Sequence, residues 1–183
     1  MDQPEPERPR LSSTRCYTGT VLVEGTTLSE GRGTTRPFEV IGAPDLDCAA
    51  LIAKMHELAP QWLRGCTLRP CWFEPTFNKH VGALCAGLQI HVDDGAYDHA
   101  KFRPWRLQAL AFKALRTLQP KYDLWRDFPY EYERGRLAID VINGSDLLRA
   151  WVDDRRSTPK DLDALASADE RAWRREREAF LLY

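Results

Sequence analysis

Residues 88–118 read LQIHVDDGAYDHAKFRPWRLQALAFKALRTL, and this stretch contains the two patterns that decide the fold. Leu88, Ile90 and Val92 alternate with polar residues, and a period of two is typical of a strand with one buried face. Pro104 suits the first turn of a helix. The apolar residues that follow it recur at the spacing of one helical face: Leu107, Leu110, Ala111, Ala114 and Leu118. The stretch therefore predicts a strand followed by the longest core helix.

The segments before residue 88 predict two further strands and one helix. The Thr and Val content of residues 17–24 favours a strand. Residues 67–73 also have the composition of a strand, but Pro70 lacks an amide donor and therefore predicts an edge position or a bulge. Asp47 can cap a helix whose apolar positions recur at helical spacing: Leu51, Met55 and Leu58.

The segments after residue 118 predict one strand and three helices. Residues 138–142 are interpreted as a short strand, and Ser145 as the cap of a helix that runs through Trp151. Two more helices are predicted, one starting at Thr158 and Pro159 and one at Ser167 and Glu170, which have the spacing of a capping box. Together the patterns predict an α/β (α+β) domain with a small mixed sheet of about four strands packed by about five helices.

Length and composition predict one compact domain. The 183 residues are 43% apolar, which is enough for a single core. Residues 1–15 are polar and rich in proline, so we expect a flexible arm there and the domain over 16–183. A net charge of −1 argues against nucleic acid as a partner, and no stretch reaches the ~20 apolar residues of a membrane span. No secretory signal is recognised, so the chain as written is expected in the cytoplasm.

The cysteines and histidines predict neither a metal site nor a bound cofactor. The five cysteines contain no CxxC pair, so reduced thiols are the simplest interpretation: Cys16, Cys48, Cys66, Cys71 and Cys85. His56 lies in a predicted helix and His91 in a predicted strand. Neither has a partner at the spacing of metal ligands, so both are interpreted as structural or exposed.

The least ordinary segment is the loop EGTTLSEGRGTTRPF over residues 24–38. Its glycines allow a ligand to approach the backbone, and the guanidinium of Arg32 offers a planar fork to a carboxylate. Its polar side chains can exchange hydrogen bonds with sugar hydroxyls: Ser29, Glu30, Thr34 and Thr35. The alternative is a structural ion pair between Glu30 and Arg32 inside a glycine-rich turn. A phosphate loop is disfavoured because the spacing GxxxxGK[ST] is not met.

Four segments in the same order resemble one known family. These are LSEGRGTTRPFE with IGAPDLD (28–47), FEPTFNKHVGALCAGLQIHV (73–92), DFPYEYERGRLAIDVINGSDLLR (127–149) and the final FLLY (180–183). Together they are similar to the C-terminal domain of NamZ-type exo-β-N-acetylmuramidases, and they span nearly everything from Cys16 onward. The four segments together identify this family more specifically than any one of them does.

The resemblance implies an auxiliary role. Members of this family combine a Rossmann-like N-terminal half, which carries the catalytic glutamate, with a C-terminal half that helps to wall the cleft. They remove N-acetylmuramic acid from the non-reducing end of peptidoglycan fragments. The resemblance therefore implies a muramic-acid-containing sugar as ligand and a Rossmann-like catalytic domain as partner, expected on a separate chain. This family context is compatible with a site of action outside the cytoplasm.

The motif of the family can be followed residue by residue in this chain. The residues that match it are Ser29, Glu30, Gly31, Arg32, Gly33, Thr34 and Thr35 in the loop and Pro75, Thr76, Lys79 and His80 in the second segment. From these we take as candidates for substrate binding Ser29, Glu30, Arg32, Thr34, Thr35, Lys79 and His80. No catalytic residue is assigned, and Glu30 and His80 are the nearest candidates.

Several alternatives remain open at this point. Lys79 and His80 could equally form a surface pair, and Glu131 and Glu133 could be a pair of glycosidase carboxylates or part of a packed strand or loop. The leading functional hypothesis is a substrate-wall domain that needs a catalytic partner. The others are a stand-alone module for muramyl sugars or a non-catalytic truncated remnant, and a self-sufficient glycosidase that uses Glu30 or Glu131.

Overall fold

A computed structural model describes residues 10–182. Six α-helices and three strands follow one another along this part of the chain, joined by short 3-10 turns over 21–25, 60–63 and 178–180. Their bounds are α1 Leu11–Thr20, β1 Val40–Ala43, α2 Cys48–Leu58, β2 Thr67–Phe73, β3 Cys85–His91, α3 Pro104–Leu118, α4 Ala138–Asn143, α5 Leu147–Asp153 and α6 Pro159–Arg177. The predicted α/β class is confirmed.

The sheet has the strand order β1-β3-β2, and both pairs are antiparallel. The strand predicted around Leu88 is β3, its centre, and β2 lies at an edge as Pro70 predicted. The sheet is antiparallel rather than mixed, with three strands instead of about four. A single further pairing extends it, because Ser29 and Gly42 exchange backbone hydrogen bonds of 2.8 and 3.0 Å. The candidate loop is thus attached to the outer side of β1.

Helix α3 forms the centre of the core, as its periodicity predicted. It contacts α1, α2 and α5, and Leu110 and Phe112 are fully buried. A cation is buried with them: the ammonium group of Lys113 donates to the carbonyls of Trp151 (2.9 Å) and Asp154 (2.6 Å). These carbonyls lie at the C-terminal end of α5, where the helix dipole favours positive charge. Lys113 therefore couples α3 to α5.

The strand predicted over residues 17–24 is wrong. These residues form the end of α1 and the 3-10 turn that follows it. Cys16 is buried, and Gly19 lies so close to α3 that a Cβ there would be 2.2 Å from the carbonyl oxygen of Pro104. Strand propensity mostly measures how a side chain fits a pleated, half-buried surface. Packing against α3 overrides it here.

The strand predicted over residues 138–142 is also wrong, because these residues form α4. The helix ends at Gly144, which adopts φ 83°. Ala138, Ile139 and Asp140 are buried in succession, and a short buried run does not distinguish a strand from a helix. The next helix was expected from Ser145, whereas α5 begins at Leu147.

The two helices predicted after residue 157 are one helix, α6. Its capping box is formed by Thr158 and Asp161. The expected second start at Ser167 is absent because Glu170 lies mid-helix and its carboxylate pairs with Arg106 of α3. No helix between residues 10 and 182 combines the length and the apolar character that crossing a membrane would need.

The N-terminal boundary also differs from the expected one. Residues 11–15 belong to α1 rather than to a flexible arm, and residues 1–9 of the predicted arm lie outside the described residues. The hydroxyls of Ser12 and Ser13 are buried and donate to one carboxylate oxygen of Glu39, at 2.9 and 2.8 Å. This contact fixes the first turn of α1 beside the start of β1.

Candidate functional site

A buried ion pair lies at the centre of the candidate loop. Glu30 is fully buried, and its Oε2 lies 2.7 Å from the ammonium nitrogen of Lys79. The same ammonium group donates to the carbonyls of Val23 (2.8 Å) and Thr26 (3.2 Å). Because Lys79 follows β2 while its partners precede β1, the pair joins two signature segments that are distant in sequence.

Arg32 extends this pair toward a third signature segment. Its Nε donates to Glu30, and its Nη2 donates to Glu24 at 3.0 Å. Glu24 in turn accepts a hydrogen bond of 3.2 Å from the hydroxyl of Tyr130. We call these five residues the ion network: Glu24, Glu30, Arg32, Lys79 and Tyr130. The ion pair between Glu30 and Arg32, left open in the sequence analysis, is therefore present.

Burial and charge act against each other on the pKa values of the ion network. Burial alone would raise the pKa of Glu30, but the charges and hydrogen bonds of Lys79 and Arg32 outweigh it, and the pKa lies below its ordinary value. Burial lowers the pKa of Lys79, and Glu30 offsets only part of that shift. Burial also raises the pKa of Glu24 more than Arg32 lowers it. Glu30 is accordingly the carboxylate held most firmly in its charged form.

The lowered pKa of Glu30 predicts a pH-dependent contribution to stability. The unfolded chain holds the proton on this carboxyl more tightly, so the stabilisation is complete above its ordinary pKa of 4.5 and is lost as the pH falls below that value. We expect the difference in free energy of unfolding between the wild type and Glu30→Gln to shrink in acid. Urea titrations from about pH 7 to about pH 3 measure it. A difference that stays constant over this range would contradict the prediction.

The loop is pressed onto the segment that follows β2. Gly31 and Gly33 adopt φ values of 71° and 79°, which a residue with a side chain rarely tolerates. A Cβ on Gly33 would lie 1.7 Å from the hydroxyl oxygen of Thr76, and the amide of Thr76 donates to the carbonyl of Arg32 at 3.1 Å. Gly33 is therefore required by this close approach, whereas a Cβ on Gly31 would meet the side chain of Val40 in β1.

The remaining candidate residues differ in how far a ligand can reach them. Ser29 is buried and its hydroxyl accepts a hydrogen bond from the amide of Gly31 at 3.1 Å. Thr34 donates to the carbonyl of Gly31 at 2.7 Å, whereas Thr35 is exposed. A ring nitrogen of His80 lies 2.8 Å from the carbonyl of Thr27. The structure thus brings the candidate residues together, and Arg32, Thr34, Thr35 and His80 are the ones with exposed or partly exposed surface.

A second charged cluster escaped the sequence analysis. Glu39 is fully buried, and besides the serine hydroxyls of α1 it accepts a hydrogen bond from Arg36 at 2.8 Å. Arg36 also pairs with Asp93, just after β3, at 2.8 Å. A charged residue directly before a buried strand was the available signal. Glu24 and Tyr130 of the ion network were also missed as site residues, because their partners lie far away in sequence.

The paired carboxylates considered in the sequence lie in a turn. The carboxylate of Glu133 accepts the amides of Arg134 (3.2 Å) and Gly135 (3.1 Å), and Glu131 is exposed with φ 53°. Glu133 is thus occupied in shaping the turn. Within the described part of the chain, no group of three His, Cys, Asp or Glu residues is placed to hold a metal ion, and the five cysteines are free thiols.

Comparison with known proteins gives a family match over almost the whole chain. Residues 15–183 match the family described as "Exo-beta-N-acetylmuramidase NamZ, C-terminal". A curated relative, "Peptidoglycan beta-N-acetylmuramidase NamZ" of Bacillus subtilis (strain 168), is 33% identical over 180 residues. That alignment covers 98% of this chain and 40% of the relative, so the chain spans less than half of the relative's length.

Two solved structures share the fold. Both are crystal structures of DUF1343 family proteins from Bacteroides fragilis NCTC 9343, with TM-scores of 0.63 and 0.59. They are 22% and 20% identical to this chain, cover 92% and 93% of it, and are themselves covered to 41% and 40%. At that identity they support the fold alone. With the match over residues 15–183 and the 33% identity to the Bacillus protein, the chain belongs to the family of NamZ C-terminal domains.

Proposed function

We propose that this domain forms one wall of the substrate cleft of an exo-β-N-acetylmuramidase that acts on muramyl sugars derived from peptidoglycan. Hydrolysis requires a Rossmann-like catalytic domain, which supplies the acid. The observation that carries the proposal is the ion network, because it gathers three signature segments around Arg32. Beside this cluster the loop leaves Arg32, Gly33, Thr34 and Thr35 at least partly exposed, so a ligand can reach the guanidinium.

Arg32 is the residue of the ion network best suited to contact a ligand. Its Nε and Nη2 are held by Glu30 and Glu24, so the plane of the guanidinium is fixed. Its Nη1 has no hydrogen-bond partner among residues 10–182. The side chain of Arg32 is 14% exposed to solvent. Because the guanidinium is fixed and always charged, its Nη1 is well suited to donate to the lactyl carboxylate that distinguishes muramic acid from glucosamine.

The charged state of Glu30 supports the need for a catalytic partner. Glycosidases use one carboxylic acid to protonate the leaving oxygen and a second carboxylate as base or nucleophile. Glu30 is buried between two cations and is held in its charged form, which suits it to positioning Arg32 rather than to donating a proton. The proposal therefore assigns Glu30 and Lys79 to positioning and leaves the acid to the catalytic domain.

The proposal is tested by mixing this chain with a separately produced Rossmann-like domain from a NamZ relative. Release of the chromophore from a chromogenic muramide is measured for each component and for the mixture. Turnover in the mixture that exceeds the sum of the components supports the proposal and shows that the two domains can act as separate chains. Turnover by this chain alone would overturn it. Equal rates with and without this chain would also overturn it.

Replacing Arg32 with Ala is expected to remove the preference for the muramyl sugar. A lost charged hydrogen bond corresponds to roughly 1.5 to 3 kcal/mol. We therefore expect the ratio of the affinities for N-acetylmuramic acid and N-acetylglucosamine, measured by calorimetry, to fall about ten- to a hundred-fold.

Arg36→Ala is the matched control for this substitution. Arg36 lies in the same loop but pairs with Glu39 and Asp93, so its loss should leave the affinity ratio unchanged. The ratio is informative because a general loss of folded protein lowers both affinities alike. An unchanged ratio in Arg32→Ala would assign Arg32 to the fold alone.

A further inference from the structure

The turn over residues 130–136 has a defined shape that its own contacts maintain. The amide of Glu133 donates to the carbonyl of Tyr130 at 3.0 Å, and the two residues form an antiparallel bridge. The carboxylate of Glu133 pairs with Arg136 at 3.2 Å and accepts two amides of the turn. Glu131 adopts φ 53°, in the left-handed region that non-glycine residues rarely occupy. Such a conformation persists where surrounding contacts hold it.

The turn is anchored to the ion network. The hydroxyl of Tyr130 donates to Glu24, which also binds Arg32. The ring of Phe128 meets that of Tyr130 edge-on at 6.0 Å, and the guanidinium of Arg126 lies 4.1 Å from the centre of the Phe128 ring. A series of half-buried side chains thus fixes the turn beside the candidate loop.

Tyr132 lies inside this fixed turn and is 99% exposed. Its ring buries almost nothing in this domain, so the folded domain gains almost no hydrophobic stabilisation from it. A tyrosine ring combines an apolar face with a polar tip. Because the side chain has only two torsions, little conformational entropy is lost when a ligand orders it. A pyranose ring has the complementary surface, since its C–H groups form an apolar face and its hydroxyls a polar rim.

The surroundings of Tyr132 favour a sugar over a protein surface. Its exposed neighbours in the turn include Glu131, and glutamate is depleted in protein interfaces. The other exposed large apolar side chains of the described residues lie outside the turn, among them Trp72, Val81 and Leu84 between residues 72 and 84 and Trp173, Phe180, Leu181 and Leu182 near the C-terminal end. Charged groups around one aromatic face can instead bind the hydroxyls of a stacked sugar.

We infer that Tyr132 stacks on a pyranose ring of the muramyl substrate and is a substrate-binding residue of the cleft. This inference rests on the proposed function, and it gives Tyr132 and Arg32 separate tasks. Arg32 binds the lactyl carboxylate, and Tyr132 stacks on the sugar ring. Tyr132 should therefore contact N-acetylglucosamine and N-acetylmuramic acid alike.

The test follows the ring resonances of Tyr132 by NMR while the full chain is titrated with each sugar. The signals are assigned by their absence in Tyr132→Phe. We expect both sugars to shift them, and we expect Tyr132→Ala to bind both sugars about three- to ten-fold more weakly, as the loss of one stacked ring predicts. Tyr132→Phe should bind like the wild type because it keeps the ring. Phe180→Ala, which removes another exposed ring, is the matched control and should bind like the wild type.

The outcomes separate this inference from the proposed function. Wild-type affinity in Tyr132→Ala, or Tyr132 resonances that no sugar shifts, would overturn the inference even if the mixture with the catalytic domain hydrolyses the muramide. Shifted resonances without any such turnover would support the inference and overturn the proposed function. Resonances that shift on adding the catalytic domain, with no further change on adding sugar, would place Tyr132 in a protein interface and overturn the inference.

Discussion

Lys79→Met is expected to lower the free energy of unfolding by about 3 to 5 kcal/mol, the usual cost of leaving one partner of a buried ion pair alone. Lys79 is the cation closest to the fully buried Oε2 of Glu30, and it also satisfies the carbonyls of Val23 and Thr26. Methionine has a similar volume, so the loss reflects charge and hydrogen bonding rather than a cavity. Urea denaturation followed by circular dichroism measures it.

Two further variants make this result specific. Lys101→Met removes the ammonium group of an exposed pair with Asp98 (2.6 Å), and such pairs contribute at most about 1 kcal/mol. Combining Lys79→Met with Glu30→Leu removes both buried charges, and we expect the double variant to be more stable than Lys79→Met alone. Additive losses in the double variant would show that the two groups do not stabilise each other.

Gly19→Val is expected to destabilise the fold by about 3 kcal/mol, at the upper end of the usual cost of overpacking. A Cβ at this position would lie 2.2 Å from the carbonyl oxygen of Pro104 and 2.8 Å from the amide nitrogen of Trp105. Both are backbone atoms of the first turn of α3, so no side-chain rotation relieves the overlap. Helix α1 would have to move away from α3, and the midpoint of thermal unfolding reports the loss.

Gly95→Val provides the matched control for the packing of Gly19. No atom lies within 4 Å of a Cβ built on Gly95. The same glycine-to-valine change at this position therefore tests the effects of backbone entropy and conformational propensity without the steric overlap. We expect it to change the free energy of unfolding by no more than about 0.5 kcal/mol. Equal losses in the two variants would contradict the assignment of Gly19 to the contact between α1 and α3.

Three of the elements predicted correctly from the sequence have a periodicity that records one buried face, whereas β2 was predicted from its composition. β3 and α3 have long, regular patterns, and α2 has both a pattern and a cap at Asp47, which accepts the amide of Ala50 at 2.9 Å. β1 has four residues that are all buried, so no alternation marks it. The errors at 17–24 and 138–142 arose where composition was judged without the neighbour that decides the conformation.

The candidate site was predictable in position but not in its internal roles. The loop was singled out because its glycines and polar groups are concentrated in one stretch, and the resemblance added Lys79. Glu30 could not be recognised as buried from the sequence, since its burial depends on an ammonium group 49 residues further along the chain. Tyr130 was more distant still, and Glu39 depends on two serines in the first turn of α1, which was predicted as part of an arm.

The asymmetry of the small sheet has a consequence for how this chain behaves in concentrated solution. One outer strand, β1, is covered by the loop at Ser29, but β2 has a neighbour on one side only. Open strand edges invite pairing with other chains, which is a route to aggregation. Pro70 in the middle of β2 interrupts the row of amide donors that such pairing would use. The proline that marked an edge in the sequence therefore also protects that edge from intermolecular strand addition.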